Sequence, residues 1–433
     1  MFEALINALR APDIRRRIFF VLAILVLFRF LAHVPVPGVN QAALVDLFAT
    51  NDFLQLLNIF SGGGLSNFSI VALGVNPYIN ASIIMQLMTG VVPRLQQLSR
   101  EGEYGRNQIN KYTRWLAVPM GIIQAYGYLA LLSSRQLTGG DPVISDFDFA
   151  SLETWTQIVT LTAGTILAMW LGELITERGI GNGVSFIIFA GIVSSVPAAV
   201  GAFVENPDIT AGLAFAIVAV FAVGVIVYIQ EGQRRIPIQY ASRVRGRRMY
   251  QGGSTFLPLR VNQAGVIPII FAVSIILLPS QLATYFAQSD VSLIRDIANG
   301  IVSFLSPTGL PYIAMYFLLT VGFTYFYTAF TFKPDETADQ LRKNGGFIPG
   351  IRPGSPTRDY LAKVVTRISL AGALFLGTVA VSPVIVGFLF QGSVLGSLTI
   401  GGTALLIVVS VVVETMKQLE AQLMMRNYEG FIR

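Results

Sequence analysis

Residues 170–186 read Trp170-Leu171-Gly172-Glu173-Leu174-Ile175-Thr176-Glu177-Arg178-Gly179-Ile180-Gly181-Asn182-Gly183-Val184-Ser185-Phe186. An apolar run closes on Glu177-Arg178, three glycines alternate through 179–183, and a second apolar run opens at Val184. So tight a glycine turn leaves the two runs as antiparallel neighbours. Each run is about 20 residues long, which as helix crosses a hydrocarbon core of about 30 Å. A hairpin of two such helices belongs in lipid.

The rest of the chain repeats that pattern. Of its 433 residues, 12% are charged, against about 25% in soluble domains, and the mean hydropathy is +0.64. Apolar runs are expected to span at 18–34, 70–92, 115–132, 155–175, 184–203, 210–229, 262–284, 311–331, 364–390 and 399–416. Arg15-Arg16-Arg17 before the first run imitates the basic start of a signal peptide. No small-residue cleavage site follows and nine more runs do, so this reads as a retained first span. Ten spans put both termini on one side.

Charge selects that side. With the N-terminus inside, 27 of the 30 Lys and Arg residues fall in cytoplasmic segments; the exceptions are Arg29, Arg135 and Arg295. Losing or adding one span would scramble this sorting, so the positive-inside rule supports both the count and the orientation.

The connecting segments differ in kind. The segment 35–69 contains Ser61-Gly62-Gly63-Gly64, preceded by the apolar Leu54–Phe60, which is too short to span. The 230–260 and 332–360 loops are long and basic. In the second, Pro334 is suited to open a short helix and Gly345-Gly346 to end it. The tip Phe347-Ile348-Pro349-Gly350-Ile351-Arg352-Pro353-Gly354 is stiff and rich in turn residues.

Catalytic chemistry has little to work with. The chain has no Cys and one His, which disfavours thiol chemistry and clustered metal sites. Neither HExxH, GxSxG nor GxxxxGK occurs, and Gly62-Gly63-Gly64 lacks the lysine of a phosphate loop. His33 reads as an interfacial residue, and Gly139-Gly140-Asp141 falls in an outer loop, away from any intramembrane protease site. Arg29, Glu173 and Glu414 lie near span ends, where snorkelling or local pairing accounts for them better than a proton pathway. No enzyme activity, cofactor or metal is expected.

Two stretches are specific. Ser69-Ile70-Val71-Ala72-Leu73-Gly74-Val75-Asn76-Pro77-Tyr78-Ile79-Asn80-Ala81-Ser82-Ile83-Ile84-Met85-Gln86-Leu87-Met88 and the 170–186 stretch resemble the two signature stretches of the SecY family. Gly265-Val266-Ile267-Pro268, Phe347–Gly354 and Gly401-Gly402-Thr403 extend the resemblance collinearly through the chain. It implies an all-α membrane protein with ten transmembrane helices in two pseudo-symmetric five-helix halves around a central hourglass pore. The halves would be 1–203 and 204–433.

The resemblance also implies roles. An aliphatic pore ring falls on Val75, Ile79, Val184, Ile188, Ile270 and Ile407. Within it Val75/Ile79 and Val184/Ile188 are i, i+4 pairs on one helical face. Such a ring blocks ions by dewetting yet parts around a polypeptide. A plug falls on 54–68 with Leu56, Ile59, Phe60, Gly62, Gly63, Gly64 and Leu65, and Ser61–Gly64 is its expected flexible element. A lateral gate between spans 2–3 and 7–8 carries Gln86, Gln124 and Ser274, whose hydrogen bonds across helices would hold it shut. Arg243, Arg245, Arg247, Arg248, Arg342, Lys343, Arg352 and Arg358 on the basic loops would bind the motor ATPase SecA or ribosomal RNA. The implied partners further include SecE-like and SecG-like small membrane subunits, signal sequences, nascent polypeptides and membrane lipid. The implied setting is the cytoplasmic (inner) membrane of a bacterium, with both termini cytoplasmic.

The implied function is thus a passive polypeptide channel, which releases signal sequences and transmembrane segments sideways into the membrane. The competing reading is a secondary transporter of a small solute, which would want broken helices and charges near mid-membrane. Such charges are scarce in this chain.

Overall fold

The computed structural model describes residues 8–50, 58, 61, 63–133, 143–144, 147–148, 151–205, 209–240, 243–245, 248–250, 253–287, 291–306, 309–389 and 401–430. Each expected span holds one helix. They are α1 (Pro12–Leu31), α3 (Asn76–Val91), α5 (Glu103–Leu132), α6 (Leu152–Arg178), α7 (Gly183–Glu205), α8 (Ile209–Glu231), α9 (Ile267–Phe286), α11 (Leu310–Thr331), α13 (Ser355–Leu389) and α14 (Gly401–Gly430). Shorter helices are α2 (Gln41–Thr50), α4 (Pro93–Arg100), α10 (Ser292–Phe304) and α12 (Pro334–Lys343).

Among the described residues four helical segments are long and apolar enough to cross a membrane: Glu103–Leu132, Leu152–Arg178, Leu310–Lys343 and Ser355–Ser382. Gly183–Pro197, Ala216–Glu231 and Ile267–Ser280 are shorter apolar helices.

The second span is shorter than its apolar run, which corrects the expected helix over 70–92. Residues 70–75 are turns, and α3 starts at Asn76 with Pro77 in its first turn. Pro77 needs no N–H there, and its ring fixes φ for the helix that follows. At the other end Pro93 opens α4, so α3 is 16 residues long. At 1.5 Å per residue it covers about 24 Å, less than a hydrocarbon core. The preceding irregular residues Val71–Val75 are buried, the condition under which non-helical backbone persists at membrane depth.

The chain divides into two compact units. The first is Met1–Leu213, Val273–Tyr312 and Ile407–Arg433. Within it α3 packs on α5, α5 on α6, and α6 and α7 on each other and on α1. Small residues allow close approach: Ala81, Ala117 and Met169 form one buried cluster where α3, α5 and α6 meet. A Cβ built on Gly164 of α6 would run into the carbonyl oxygen of Ile70. Membrane helices lack a hydrophobic force between them, so such small-residue contacts carry the packing.

The second unit is Ala214–Ala272 and Ile313–Leu406. Its basic loops are not irregular. Strands β1 (Gln233–Tyr240) and β4 (Ser254–Arg260) form an antiparallel pair from Gln233↔Arg260 to Gln239↔Ser254. Strands β2 (Arg243–Arg245) and β3 (Arg248–Tyr250) form a second hairpin between them in sequence. The short β5 (Gly346–Phe347) joins the free edge of β1, giving the order β4-β1-β5. Ile236, Leu259 and Ile348 bury against Leu361, Val364 and Val365 at the start of α13. Two loops about a hundred residues apart in the chain therefore share one core. As expected, α12 has Pro334 in its first turn, and it ends before Gly345, whose φ is 72°.

Candidate pore, plug and gate residues

The 170–186 turn is the most tightly specified part of the first unit. Helix α6 stops at Arg178, and Gly181 takes φ 84°, a left-handed conformation that glycine adopts without a Cβ penalty. Asn182 Oδ1 accepts from Val184 N at 3.1 Å and Ser185 N at 3.3 Å, capping α7. The tail of α14 clamps the turn: Gly181 N donates to Gln418 Oε1 at 2.8 Å. Ile180 shares a buried cluster with Ala8, Ala11, Ile14 and Leu419. The other i, i+4 ring pair also sits at a helix start: Val75 is the N-terminal flanking residue of α3, without a side-chain cap, and its carbonyl accepts from Ile79 N at 3.0 Å.

Of the six ring positions, Val75, Ile79, Ile188, Ile270 and Ile407 are each at most 5% exposed. Val184 is half-buried. Val75, Ile79, Val184, Ile188 and Ile407 belong to the first unit and Ile270 to the second. Many other aliphatic side chains on the spanning helices, such as Val218 and Val220, are more than half exposed. The ring set is thus drawn mostly from buried faces.

Of the plug residues, Leu56, Ile59, Phe60 and Gly62 lie outside the described residues. Gly63, Gly64 and Leu65 are described, and the described residues of the glycine element expected to be flexible, Ser61, Gly63 and Gly64, are each hydrogen-bonded. Gly63 N donates to Asn58 O at 2.8 Å, and Ser66 N to Asn58 Oδ1 at 2.9 Å. Leu65 N donates to Ser61 Oγ at 3.2 Å, and Ser69 Oγ to Gly64 O at 3.0 Å. Val36 N reaches Phe68 O at 2.9 Å and Ile70 N reaches Val34 O at 3.0 Å, tying the segment to the chain after α1. Arg29 of α1 brings Nη1 within 2.9 Å of where a Gly63 Cβ would stand. Sequence reasoning missed this network because Ser, Asn and Gly form turns only with partners that the fold supplies.

The three gate residues are not joined to one another by hydrogen bonds among the described residues. Gln124 and Ser274 are buried. Gln86 Nε2 donates to Ser82 Oγ on its own helix at 3.3 Å, while its buried Oε1 has no partner.

On the loops, Arg247 lies outside the described residues, and Arg243, Arg245 and Arg248 are placed by backbone on β2 and β3. Arg342 pairs with Asp339 at 3.2 Å, an exposed i, i+3 contact, and Lys343 is exposed. Arg358 is held by Asp359 at 2.8 Å and faces Asp335 at 3.6 Å. Arg352 is exposed at the tip, and its carbonyl accepts from Thr357 Oγ1 at 2.9 Å. Its backbone is fixed while its side chain points out. Glu173 is paired with Arg114 at 2.6 Å, the local pairing expected of a charge near a span end. His33 Nδ1 bonds Arg29 O at 2.8 Å, as a helix-end residue does.

The sequence profile of the SecY family matches residues 69–416. The chain is 45% identical over 442 residues to the protein translocase subunit SecY of Mycobacterium tuberculosis (strain ATCC 25618 / H37Rv), covering all of both chains. It is 44% identical over 443 residues to the same subunit of Streptomyces coelicolor, again covering all of both. In fold it is similar to a solved structure described as the structure of a protein conducting channel, with TM-score 0.65 and 18% identity over 93% of this chain and 91% of that one. It is also similar to Sec61 in the canine ribosome-channel complex from the endoplasmic reticulum, with TM-score 0.62 and 16% identity over 93% and 91%.

Proposed function

This chain belongs to the SecY family, and on that premise we propose how its residues divide the work of a protein-conducting channel. It is a multi-pass membrane protein with the ten-span fold of the family, and the channel subunit of a translocon, without enzymatic activity. The small-solute transporter reading has no support.

The pore is shut by Val75, Ile79, Val184, Ile188, Ile270 and Ile407. One observation carries this reading: residues from four helices far apart in sequence are nearly all buried. An aliphatic constriction excludes water and ions but yields to a polypeptide. Residues 54–68 act as the plug, and Gln86, Gln124 and Ser274 line the lateral exit. The two five-helix halves meet between 203 and 204. Reconstitution with SecE-like and SecG-like subunits and a SecA motor tests the whole reading: secretory chains with signal sequences enter the vesicles, and substrates without them do not.

The site is the cytoplasmic membrane of a bacterium, with both termini inside. The chain contains no native Cys, so single introduced cysteines label cleanly. Asp208→Cys reacts with a membrane-impermeant maleimide from outside intact cells, and Arg247→Cys only after lysis. The opposite pattern inverts the topology.

Arg352 is the docking residue for the motor. Polyanionic RNA or an acidic motor surface suits a cluster of arginines. Arg358 and Arg342 already face carboxylates of this chain, whereas the Arg352 tip presents its side chain outward. Arg352→Glu is expected to cut SecA-driven translocation by about an order of magnitude, with membrane insertion and thermal stability unchanged. Translocation at the parental rate would remove Arg352 from the docking surface.

A further inference from the structure

Helix α10 connects the ends of α9 and α11, and its 13 residues read SLIRDIANGIVSF. At 1.5 Å per residue it is about 20 Å long, too short to cross a membrane. At about 100° per residue its side chains sort into three sectors. Leu293, Phe304, Ile297, Ile301 and Ile294 share one, and all five are exposed, Leu293 to 67% and Ile297 to 57%. Ala298, Val302 and the capping residue Leu305 form the next, which is turned into the protein: Ala298 is 3% and Leu305 6% exposed. Arg295, Asn299, Ser303 and Asp296 make up the polar remainder. A helix lying on the protein with one apolar side needs only the second and third sectors. The exposed apolar sector is surplus to folding.

That surplus sector has neighbours of the same kind. Phe286 at the end of α9, Val291 before α10 and Leu310 opening α11 are large, apolar and exposed, Leu310 to 81%. The apolar sector of α10 is therefore continuous along the chain with the lipid-facing surfaces of the two spans it joins. We propose that α10 lies in the plane of the membrane, with Leu293, Ile294, Ile297, Ile301 and Phe304 sunk at the boundary between headgroups and acyl chains. The leaflet is the one opposite the 332–354 loop, because α11 alone separates the two. Amphipathic helices of low net hydrophobicity bind membranes in this way. The two charged residues of α10, Arg295 and Asp296, cancel, so insertion is apolar and independent of anionic lipid. The helix anchors the end of α9 to the bilayer surface.

The proposal rests on reading α9 and α11 as spans, and the experiment separates the two. Single cysteines at Ile297, Phe304, Asp296 and Ser303, and at Leu318 in the middle of α11, are labelled with an environment-sensitive fluorophore. The full chain is reconstituted in phosphatidylcholine vesicles, alone and with its small membrane subunits. Quenching is then compared between a nitroxide placed shallow on the lipid chain and a water-soluble nitroxide.

Labels at Ile297 and Phe304 are expected to quench severalfold more with the lipid nitroxide than with the soluble one, and labels at Asp296 and Ser303 the reverse. Adding anionic lipid leaves the ratios unchanged. If Leu318 is quenched by lipid but Ile297 and Phe304 are quenched mainly from water, α10 is not interfacial. Protection of Ile297 and Phe304 from both quenchers would mean that protein covers the sector, and also overturns the proposal. Failure of the Leu318 label to report lipid overturns the span reading on which it rests.

Discussion

Ile407→Asn makes the channel leak. Ile407 is fully buried, and an asparagine amide there has no partner supplied by an aliphatic ring. An unpaired buried polar group costs roughly 1–3 kcal/mol in the shut state, and each 1.4 kcal/mol shifts an equilibrium about tenfold. Water in the constriction relieves that cost, so the open, wetted state gains by roughly one to two orders of magnitude. Ion flux through reconstituted vesicles rises accordingly, and secretory substrates with defective signal sequences pass. Ile407→Val, which keeps the ring aliphatic, stays shut. A companion measurement locates the ring directly. Single cysteines at Ile79, Ile270 and Ile407 form disulfides with a cysteine in a stalled translocating chain, whereas one at Val218, 53% exposed on α8, does not. Equal cross-linking at all four positions, or an asparagine variant as tight as the parent, would put the pore elsewhere.

The second large effect is on folding. Gly164→Val is expected to prevent stable assembly of the first unit. A Cβ at Gly164 has no room against the Ile70 carbonyl, which belongs to backbone and cannot rotate away. Two residues earlier Thr162 Cγ2 lies 3.3 Å from the Cβ position of Gly121, so α5 and α6 are also close there. Relief requires moving α6 or the buried 70–75 segment that positions Val75. Overpacking of a rigid contact costs about 1–3 kcal/mol, occasionally more, and the clash is with backbone on both sides. A lower melting temperature in detergent and faster proteolysis in the membrane are the expected readouts. Gly127→Ala is the control, since a Cβ there meets nothing within 4 Å. Similar stability for both variants would show that α6 and the 70–75 segment yield easily.

The glycine turn at 179–183 and the ten apolar runs were legible without a structure, as was the proline that opens α12. So was the charge sorting that suggests orientation. A spanning helix satisfies every backbone hydrogen bond within its own segment, so composition and length over some 20 residues decide its existence. The pore ring was legible only through resemblance. Aliphatic residues fill every span, and periodicity does not say which of them face a pore and which face lipid.

What tertiary structure alone decided is of another kind. Ile236, Leu259, Ile348 and Leu361 form one core, although alternation in 233–240 and 254–260 was present in the sequence as a faint strand signal. A strand is completed only by a partner, and here β1 is paired on one side by β4 and on the other by β5, about a hundred residues on. Arg358 is drawn to Asp335 and Asp359 while Arg352 stays exposed, a difference invisible in a list of basic residues. Gly63 and Gly64 are hydrogen-bonded to Asn58 and Ser69, while Val36 and Val34, from beyond α1, hold Phe68 and Ile70. Helices in lipid close their hydrogen bonds locally and are written in local sequence; sheets, turns and ion pairs close theirs across the chain, and only the folded chain brings the partners together.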